Sequence, residues 1–271
     1  MSTENSADSI RPDLGHSPVG SHGGSHVVGP RARFAVIIPS TNTVVEQDLT
    51  WIRPEGVSFH YGRMYISNPN LGNDKDFEAL LVQIRESISV AVRDVVTSKP
   101  TYMLMGMSAE TFWGGIQGNR AFEERITNQS GRLGVSTGAA SCRAALEAFG
   151  AKKIAVFSPY QPVADLQVGT YFREAGFDVH AITGLRCATA TSIAEVGEAE
   201  IAATIQAIDA PDVDALVQVG TNLSFVHQAA RLEQTLGKPV IAINVATLWH
   251  ALRANGIGDR IEGVGRLLAE H

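Results

Sequence analysis

Two loops of this chain place glycine, hydroxyl and amide groups directly after a short apolar run. In "MLMGMSAETFWGG" (Met103 to Gly115) the run stops at Gly106, and Met107, Ser108, Glu110 and Thr111 follow. In "ALVQVGTNLSF" it stops at Gly220, and Thr221 and Asn222 follow. Neither loop contains a thiol. Such groups are neutral hydrogen-bond donors and, with the backbone N–H groups of an adjacent helix start, they favour an anion. Grouped around one carboxylate, they disperse the charge of an enediolate in the manner of an oxyanion hole. The same residue types recur in Ser40 and Asn42, in Ser136-Thr137-Gly138, in Ser158-Pro159-Tyr160 and at Asn244. A small carboxylate suits this inventory better than a long nucleotide. A proton must also move, and three carriers are open: Glu110, Tyr160, or a water held by Asn222. Apolar walls would come from Phe112, Trp113 and Phe225, where desolvation drives loss of carbon dioxide from a second carboxylate.

Several of these residues have a second, structural reading. Glu110 suits the N-terminus of a helix beginning near Thr111. Asn42 suits an Asx turn, Thr221 and Asn222 suit a helix cap, and Glu46 suits a cap or surface ion pair. His227 and His250 fall inside helical patterns and read as packing or surface histidines.

The elements that carry these loops alternate in type. "FAVIIP", "YMLMG", "RLGVS", "KIAVFSP", "FDVHAI", "ALVQVG" and "PVIAIN" read as short buried strands. Between them lie helical patterns, the longest with Phe77, Leu80, Leu81, Ile84, Ile88, Val92 and Val95 on one face. Strand–helix alternation of this kind implies an α/β fold with parallel sheets, whose ligands lie beyond the carboxyl ends of the strands. Three segments also recur in order: "FAVIIPSTNTVVEQDL" with "IAVFSPYQPVADLQV", "YMLMGMSAETF" with "ALVQVGTNLSF", and "RLGVSTGAASCRAALEAFG" with "PVIAINVATLWHALRANG". The repeat predicts two pseudo-symmetric lobes with a cleft between them: residues 33–138 plus 247–271 in the first, 139–246 in the second. Residues 1–32, rich in Gly, Ser and Pro, read as a disordered tail, whose His16, His22 and His26 would order at too high an entropic cost to hold a metal.

Composition narrows the partners. The chain has 271 residues, 44% of them hydrophobic, and a net charge of −6, which argues against nucleic acid and anionic membrane. Two cysteines, Cys142 and Cys187, are too few for a disulfide framework. No apolar run approaches membrane-spanning length and no signal peptide is visible, so the expected location is cytoplasmic.

The motifs "VIIPSTNTVVEQD", "LMGMSAETFWGG" and "LGKPVIAINVATLWHALRANG" resemble the aspartate/glutamate racemase superfamily, and within it the maleate cis-trans isomerase and arylmalonate decarboxylase branch. The resemblance implies two Rossmann-like lobes, a site between them, no metal or organic cofactor, and a small carboxylate as substrate. Homo-oligomerisation is common in the family and no feature of the sequence establishes it. The resemblance also implies cysteines at positions that here hold Gly106 and Gly220. Thiolate addition across a double bond and two-thiol racemisation therefore lack their nucleophiles. The carboxylate-binding positions are retained at Ser108, Thr137, Tyr160 and Thr221, and the amide positions at Asn42 and Asn244. The decarboxylase-like loop points to a lyase acting through an enolate-like state. An isomerase or hydrolase using Glu110 or bound water, and a non-catalytic carboxylate-binding protein, stand as alternatives.

Overall fold

The computed structural model describes residues 26–271. The expected tail falls largely outside this range. Of its described residues, Arg31 is ion-paired with Asp259 at 2.6 Å and Ala32 already opens the first strand.

Eight parallel strands form two four-stranded sheets. The first sheet holds β1 (Ala32–Pro39), β2 (Val57–Met64), β3 (Tyr102–Met105) and β4 (Val135–Ser136). The second holds β5 (Lys153–Ser158), β6 (Asp178–Gly184), β7 (Ala215–Gln218) and β8 (Val240–Ala242). Their orders, β2-β1-β3-β4 and β6-β5-β7-β8, are the same arrangement twice. The internal repeat is thus two copies of one parallel α/β unit, as its sequence implied. In each sheet the chain order reverses direction beside the first strand, so the crevice lies at the tips of β1 and β3 and of β5 and β7. Those four tips carry the Pro39–Asn42, Gly106–Ser108, Ser158–Tyr160 and Gly220–Asn222 loops.

The helices are α1 (Val45–Ile52), α2 (Asp74–Val96), α3 (Ala109–Phe112), α4 (Gly115–Gln129), α5 (Gly138–Ala148), α6 (Pro162–Glu174), α7 (Glu198–Ile208), α8 (Val226–Leu236) and α9 (Ile243–Ala254), with a short terminal turn at Arg266–Glu270. Two elements have no counterpart in the sequence reading. β2, "VSFHYGRM", carries His, Gly and Arg and is half-exposed, so its apolar period is broken. The α4 segment, "GIQGNRAFEERITNQ", buries only Gly115, Asn119, Phe122 and Ile126, too few apolar side chains to mark a helix.

Local chemistry accounts for the elements around the crevice. β1 is buried on both faces, which its unbroken Phe34–Ile38 run requires. α2 begins at Asn73, whose side chain accepts from the Asp76 N–H at 3.0 Å, with Asp74 and Asp76 in the positive first turn. Its apolar stripe is buried from Phe77 to Val96. Thr137 caps α5, accepting from the Ala140 N–H at 3.3 Å, and Gly150 ends that stretch at φ +66°, a conformation glycine adopts without strain. α9 follows the second sheet in sequence and packs on α1, α5, β3 and β4. That crossover places Asn244, at the start of α9, between the two halves.

Candidate functional site

The four strand-tip loops and the first three turns of α2 enclose a cavity of about 540 Å³, its mouth included. The first half contributes Pro39, Thr41, Asn42, Met107, Ser108 and Ala109, and the second contributes Tyr160, Gly220, Thr221 and Asn222. Ile66, Leu71, Phe77, Leu80, Ile84 and Ile193 complete it as an apolar wall. Among the described residues, no lysine, arginine or carboxylate lines it.

The polar groups are held by bonds that cross between the halves. Ser108 Oγ lies 2.5 Å from Tyr160 OH. One of these two hydroxyls donates to the other, so one hydroxyl proton of the pair is left outside that bond. Burial pushes the Tyr160 phenol well above its ordinary range, against the downward pull of Ser108, so it is a neutral acid at pH 7. Tyr160 is fixed from behind: its N–H donates to Ser158 Oγ at 3.0 Å, and its carbonyl accepts from Arg186 at 2.5 Å. Ser158 and Arg186 both bond Asp165. Phe77 meets the Tyr160 ring edge-on at 5.3 Å.

On the opposite side, Thr221 Oγ1 donates to the Gly106 carbonyl at 3.0 Å and accepts from Asn42 Nδ2 at 3.3 Å. Asn42 Oδ1 accepts from the N–H groups of Val44 and Val45, so the same side chain starts α1. Its ligand and turn readings are therefore both compatible with its position. Asn222 accepts from the Thr43 N–H at 2.9 Å and donates to the Ala190 carbonyl at 2.9 Å. Among the described residues, the backbone N–H groups of Met107, Ser108, Thr221 and Asn222 have no protein acceptor. A pair from each half thus belongs to residues that line the cavity, beside which no charged side chain stands among the described residues.

A roof closes over this arrangement. The Asn68 side chain bonds both the hydroxyl and the N–H of Thr191, and the Leu71 N–H donates to the Ala188 carbonyl at 2.7 Å. One loop from each half meets there, Ile66 and Leu71 from one, Ala190 and Ile193 from the other.

Five residues expected at the site lie elsewhere. Glu110 is buried on α3 and does not line the cavity; Arg85 of α2 donates to it at 2.8 Å and Arg125 of α4 stands 3.8 Å away. Two guanidiniums draw the carboxylate out of the strand-tip loop. Thr137 Oγ1 donates to Glu123 at 2.7 Å and accepts from Asn119 at 3.0 Å, which occupies its hydroxyl. Ser40 Oγ bonds both the N–H and the carbonyl of Ile66, tying the β1 tip to the β2 tip. Gly106 and Asn244 line a smaller void behind the Met107 loop, with Val45, Leu49 and Thr247. The aromatic walls differ as well. Phe112 packs on Tyr171 and Phe172, and Phe225 on Phe157, both in the core, while Phe77 of α2 supplies the ring at the cavity. The α2 stripe was visible in the sequence as a core face; that its first three turns overhang the crevice was not.

The two strand-tip glycines are closed to side chains in different ways. A Cβ at Gly106 would fall 2.5 Å from Ile38 Cγ2 and 3.1 Å from Val45 Cγ1. Gly220 sits at φ +102°, and a Cβ there would overlap the Pro159 ring. Cys142 is fully buried in α5 and burial raises its thiol far above the ordinary range; Cys187 is pushed up to about 11, again by burial. Neither lines the cavity. His250 bonds Ser136 at 2.7 Å and His227 stacks on Trp51, both away from the cleft. Among the described residues, no three His, Cys, Asp or Glu side chains are grouped to hold a metal, and no helix is long and apolar enough to cross a membrane.

One residue escaped the sequence reading. Asp48 is 1% exposed, and its Oδ2 accepts from Asn244 Nδ2 at 2.7 Å. Its signal was present: Val45, Asp48, Leu49 and Ile52 share the inner face of α1, so a carboxylate occupies a core position.

Residues 35–268 match the sequence pattern of the arylmalonate decarboxylase family. A maleate isomerase of Pseudomonas putida is 27% identical over 250 residues, which cover 88% of this chain and 97% of the relative. A mutant maleate cis-trans isomerase of Nocardia farcinica, solved with a covalently bound succinylcysteine intermediate, superposes with a TM-score of 0.79 at 23% identity, over 89% of this chain and 99% of that one. A double mutant of arylmalonate decarboxylase in its liganded form superposes at 0.76 with 20% identity, over 89% of this chain and 100% of that one.

Proposed function

The chain belongs to the arylmalonate decarboxylase family, and on that premise we propose that it is a cofactor-independent lyase removing carbon dioxide from a small malonate with one apolar substituent. The observation that carries the reading is the cavity's lining: neutral hydroxyl and amide donors together with an apolar wall from Phe77, Leu80 and Ile84, and no cation among the described residues.

One substrate carboxylate takes the free N–H groups of Thr221 and Asn222, or of Met107 and Ser108, with the free hydroxyl proton of the Ser108–Tyr160 pair. The other lies against the apolar wall, where loss of water destabilises its charge. The bond to that carboxylate breaks, carbon dioxide leaves, and the electron pair delocalises onto the retained carboxylate as an enediolate. The preorganised donors stabilise this charge, an effect worth several kcal/mol where water is excluded. The enediolate is a strong base, so a neutral hydroxyl suffices as its acid. Ser108 delivers a proton to carbon, Tyr160 replaces it along the 2.5 Å bond, and solvent restores Tyr160. Glu110 anchors the loop to α2 and α4 in this scheme and moves no proton.

The test is to incubate the protein with methyl-, phenyl- and unsubstituted malonate and to follow carbon dioxide and product by mass. Release is expected from the substituted malonates; no release from any of them sinks the lyase reading.

Cis-trans isomerisation is the second reading, favoured by the maleate isomerase relatives and by Asn42 in "PSTNT". The Nocardia farcinica enzyme is seen with an intermediate on a cysteine, and the resemblance sets glycine, at Gly106 and Gly220, where such cysteines are expected, so this reading needs water as the adding group. Conversion of maleate to fumarate with no action on malonates would establish it. Tight binding of either diacid without conversion would favour a carboxylate-binding protein.

A further inference from the structure

We propose that Asp48 is a positioning residue for the cleft: uncharged, it holds Asn244 against the Thr221–Asn222 peptide so that the free Asn222 N–H is aimed at a ligand carboxylate, and on ionisation it weakens that contact. The inference rests on the reading that this peptide binds a carboxylate.

The connection is a single chain of bonds. Asn244 Nδ2 has two protons. One goes to Asp48 Oδ2 at 2.7 Å, the other to the Thr221 carbonyl at 3.0 Å. That carbonyl belongs to the peptide whose N–H is on Asn222, a cavity-lining residue, and that N–H has no protein acceptor among the described residues. A donor on the oxygen of a peptide strengthens the N–H at its other end. A negative Asp48 would draw on the same Asn244 amide, leave it a poorer donor to Thr221, and place charge behind a carboxylate site in a medium of low dielectric.

The surroundings of Asp48 favour its neutral form. Oδ1 is buried with no hydrogen-bond partner among the described residues. The other inner residues of α1 are Val45, Leu49 and Ile52, and Thr247 on the facing turn of α9 donates to its own helix. Charged groups on the packed elements point elsewhere. On α1, Glu46 is paired with Arg63 at 2.6 Å; on α9, His250 bonds Ser136 and Arg253 bonds the Ile257 carbonyl; on α8, His227 stacks on Trp51. Burial raises the Asp48 carboxyl to about 7, against the Asn244 bond that lowers it. Its charge therefore changes across the neutral range.

The experiment uses the full chain without ligand and then with phenylmalonate. In the ¹⁵N-labelled wild type, the Asn244 side-chain amide and the Asn222 backbone amide should shift together with a midpoint near pH 7. Asp48→Asn, which presents an N–H at Oδ1 and an acceptor at Oδ2, should abolish the shift. Phenylmalonate affinity should fall about tenfold from pH 6.5 to 8.5 in the wild type and less than about twofold in Asp48→Asn. Amides that do not titrate overturn the proposal, and they do so in the wild type alone, should the variant fail to fold. An equal pH dependence of affinity in both proteins also overturns it. Titrating amides with no phenylmalonate binding at any pH support the Asp48 linkage while sinking the proposed substrate.

Discussion

The two strand-tip glycines sit at corresponding places in the two halves and exclude a side chain for different reasons. Gly106 has no left-handed backbone angle; what closes it is chiefly side-chain packing from Ile38 and Val45, with the Ile37 carbonyl also 3.2 Å from where a Cβ would lie. Gly220 is held at φ +102° against the Pro159 ring, so its backbone itself refuses a Cβ. A thiol is absent from both, yet the first position is closed by groups that can repack and the second by a conformation that cannot. The halves differ in the same sense in their buried carboxylates. Asp165 behind Tyr160 is braced by Arg186 and Ser158, whereas Asp48 behind Thr221 has only an amide. The second half is a rigid mount for Tyr160, and the first carries the adjustable parts.

The largest expected effect tests that mount. Tyr160→Phe removes the proton that refills Ser108 and should lower turnover on the malonate processed best by roughly 10²–10⁴-fold, read as initial rates of carbon dioxide release. Turnover within threefold of wild type would mean that Tyr160 only fills space.

Stability against pH comes next. Asp48 has a folded-state value of about 7, raised above its ordinary 3.8 by burial. The folded state therefore holds a proton that the unfolded chain has lost, and its advantage is complete below pH 4 and disappears as pH rises through 7. The loss over that window is at most about 4 kcal/mol, and Asp48→Asn should flatten it. Urea midpoints at pH 5 and pH 8 measure both; parallel curves for the two proteins would erase the contrast between Asp48 and Asp165.

The glycine contrast is sharpened by Gly220→Ala and Gly106→Ala. The first should cost about 1–3 kcal/mol from backbone strain alone, with the Pro159 overlap added. The second should cost less, since overpacking against two side chains can relax. Thermal melts decide the order, and equal costs would mean that Gly106 is as rigid as Gly220. The smallest effect is expected from Glu110→Gln, which weakens a contact to a partly exposed Arg85: under about 1 kcal/mol of stability and less than about threefold in turnover. A large loss of turnover would return Glu110 to the reaction.

Much of the fold was legible in the chain. Short apolar runs stopped by a breaker, such as Phe34–Ile38 before Pro39, fit a strand buried on both faces, and the ordered repeat of loops implies two equivalent units. β2 escaped because His60, Gly62 and Arg63 interrupt its pattern, and α4 because four inner residues do not make a visible stripe. Of the site, Ser108, Tyr160, Thr221, Asn222 and Asn42 were legible because strand tips in parallel sheets converge. Glu110 and Thr137 show the limit: both lie in polar loops, and only the distant Arg85 and the facing Asn119 and Glu123 decide where their polar atoms go. Phe77 and Asp48 show the converse, since helical spacing marks a face as inner without saying whether it meets core, cavity or another carboxylate.

The sequence by itself determined the local order of strands and helices, the duplication, and the absence of thiols at two strand tips, because those depend on residue type and on patterns within short segments, which can be compared without knowing the fold. Tertiary structure alone decided which groups meet across the cleft. The Ser108–Tyr160 bond joins residues 52 positions apart and the Asp48–Asn244 bond residues 196 apart. Hydrogen bonds are satisfied by whatever lies within reach in three dimensions, and no local pattern encodes which partner that is.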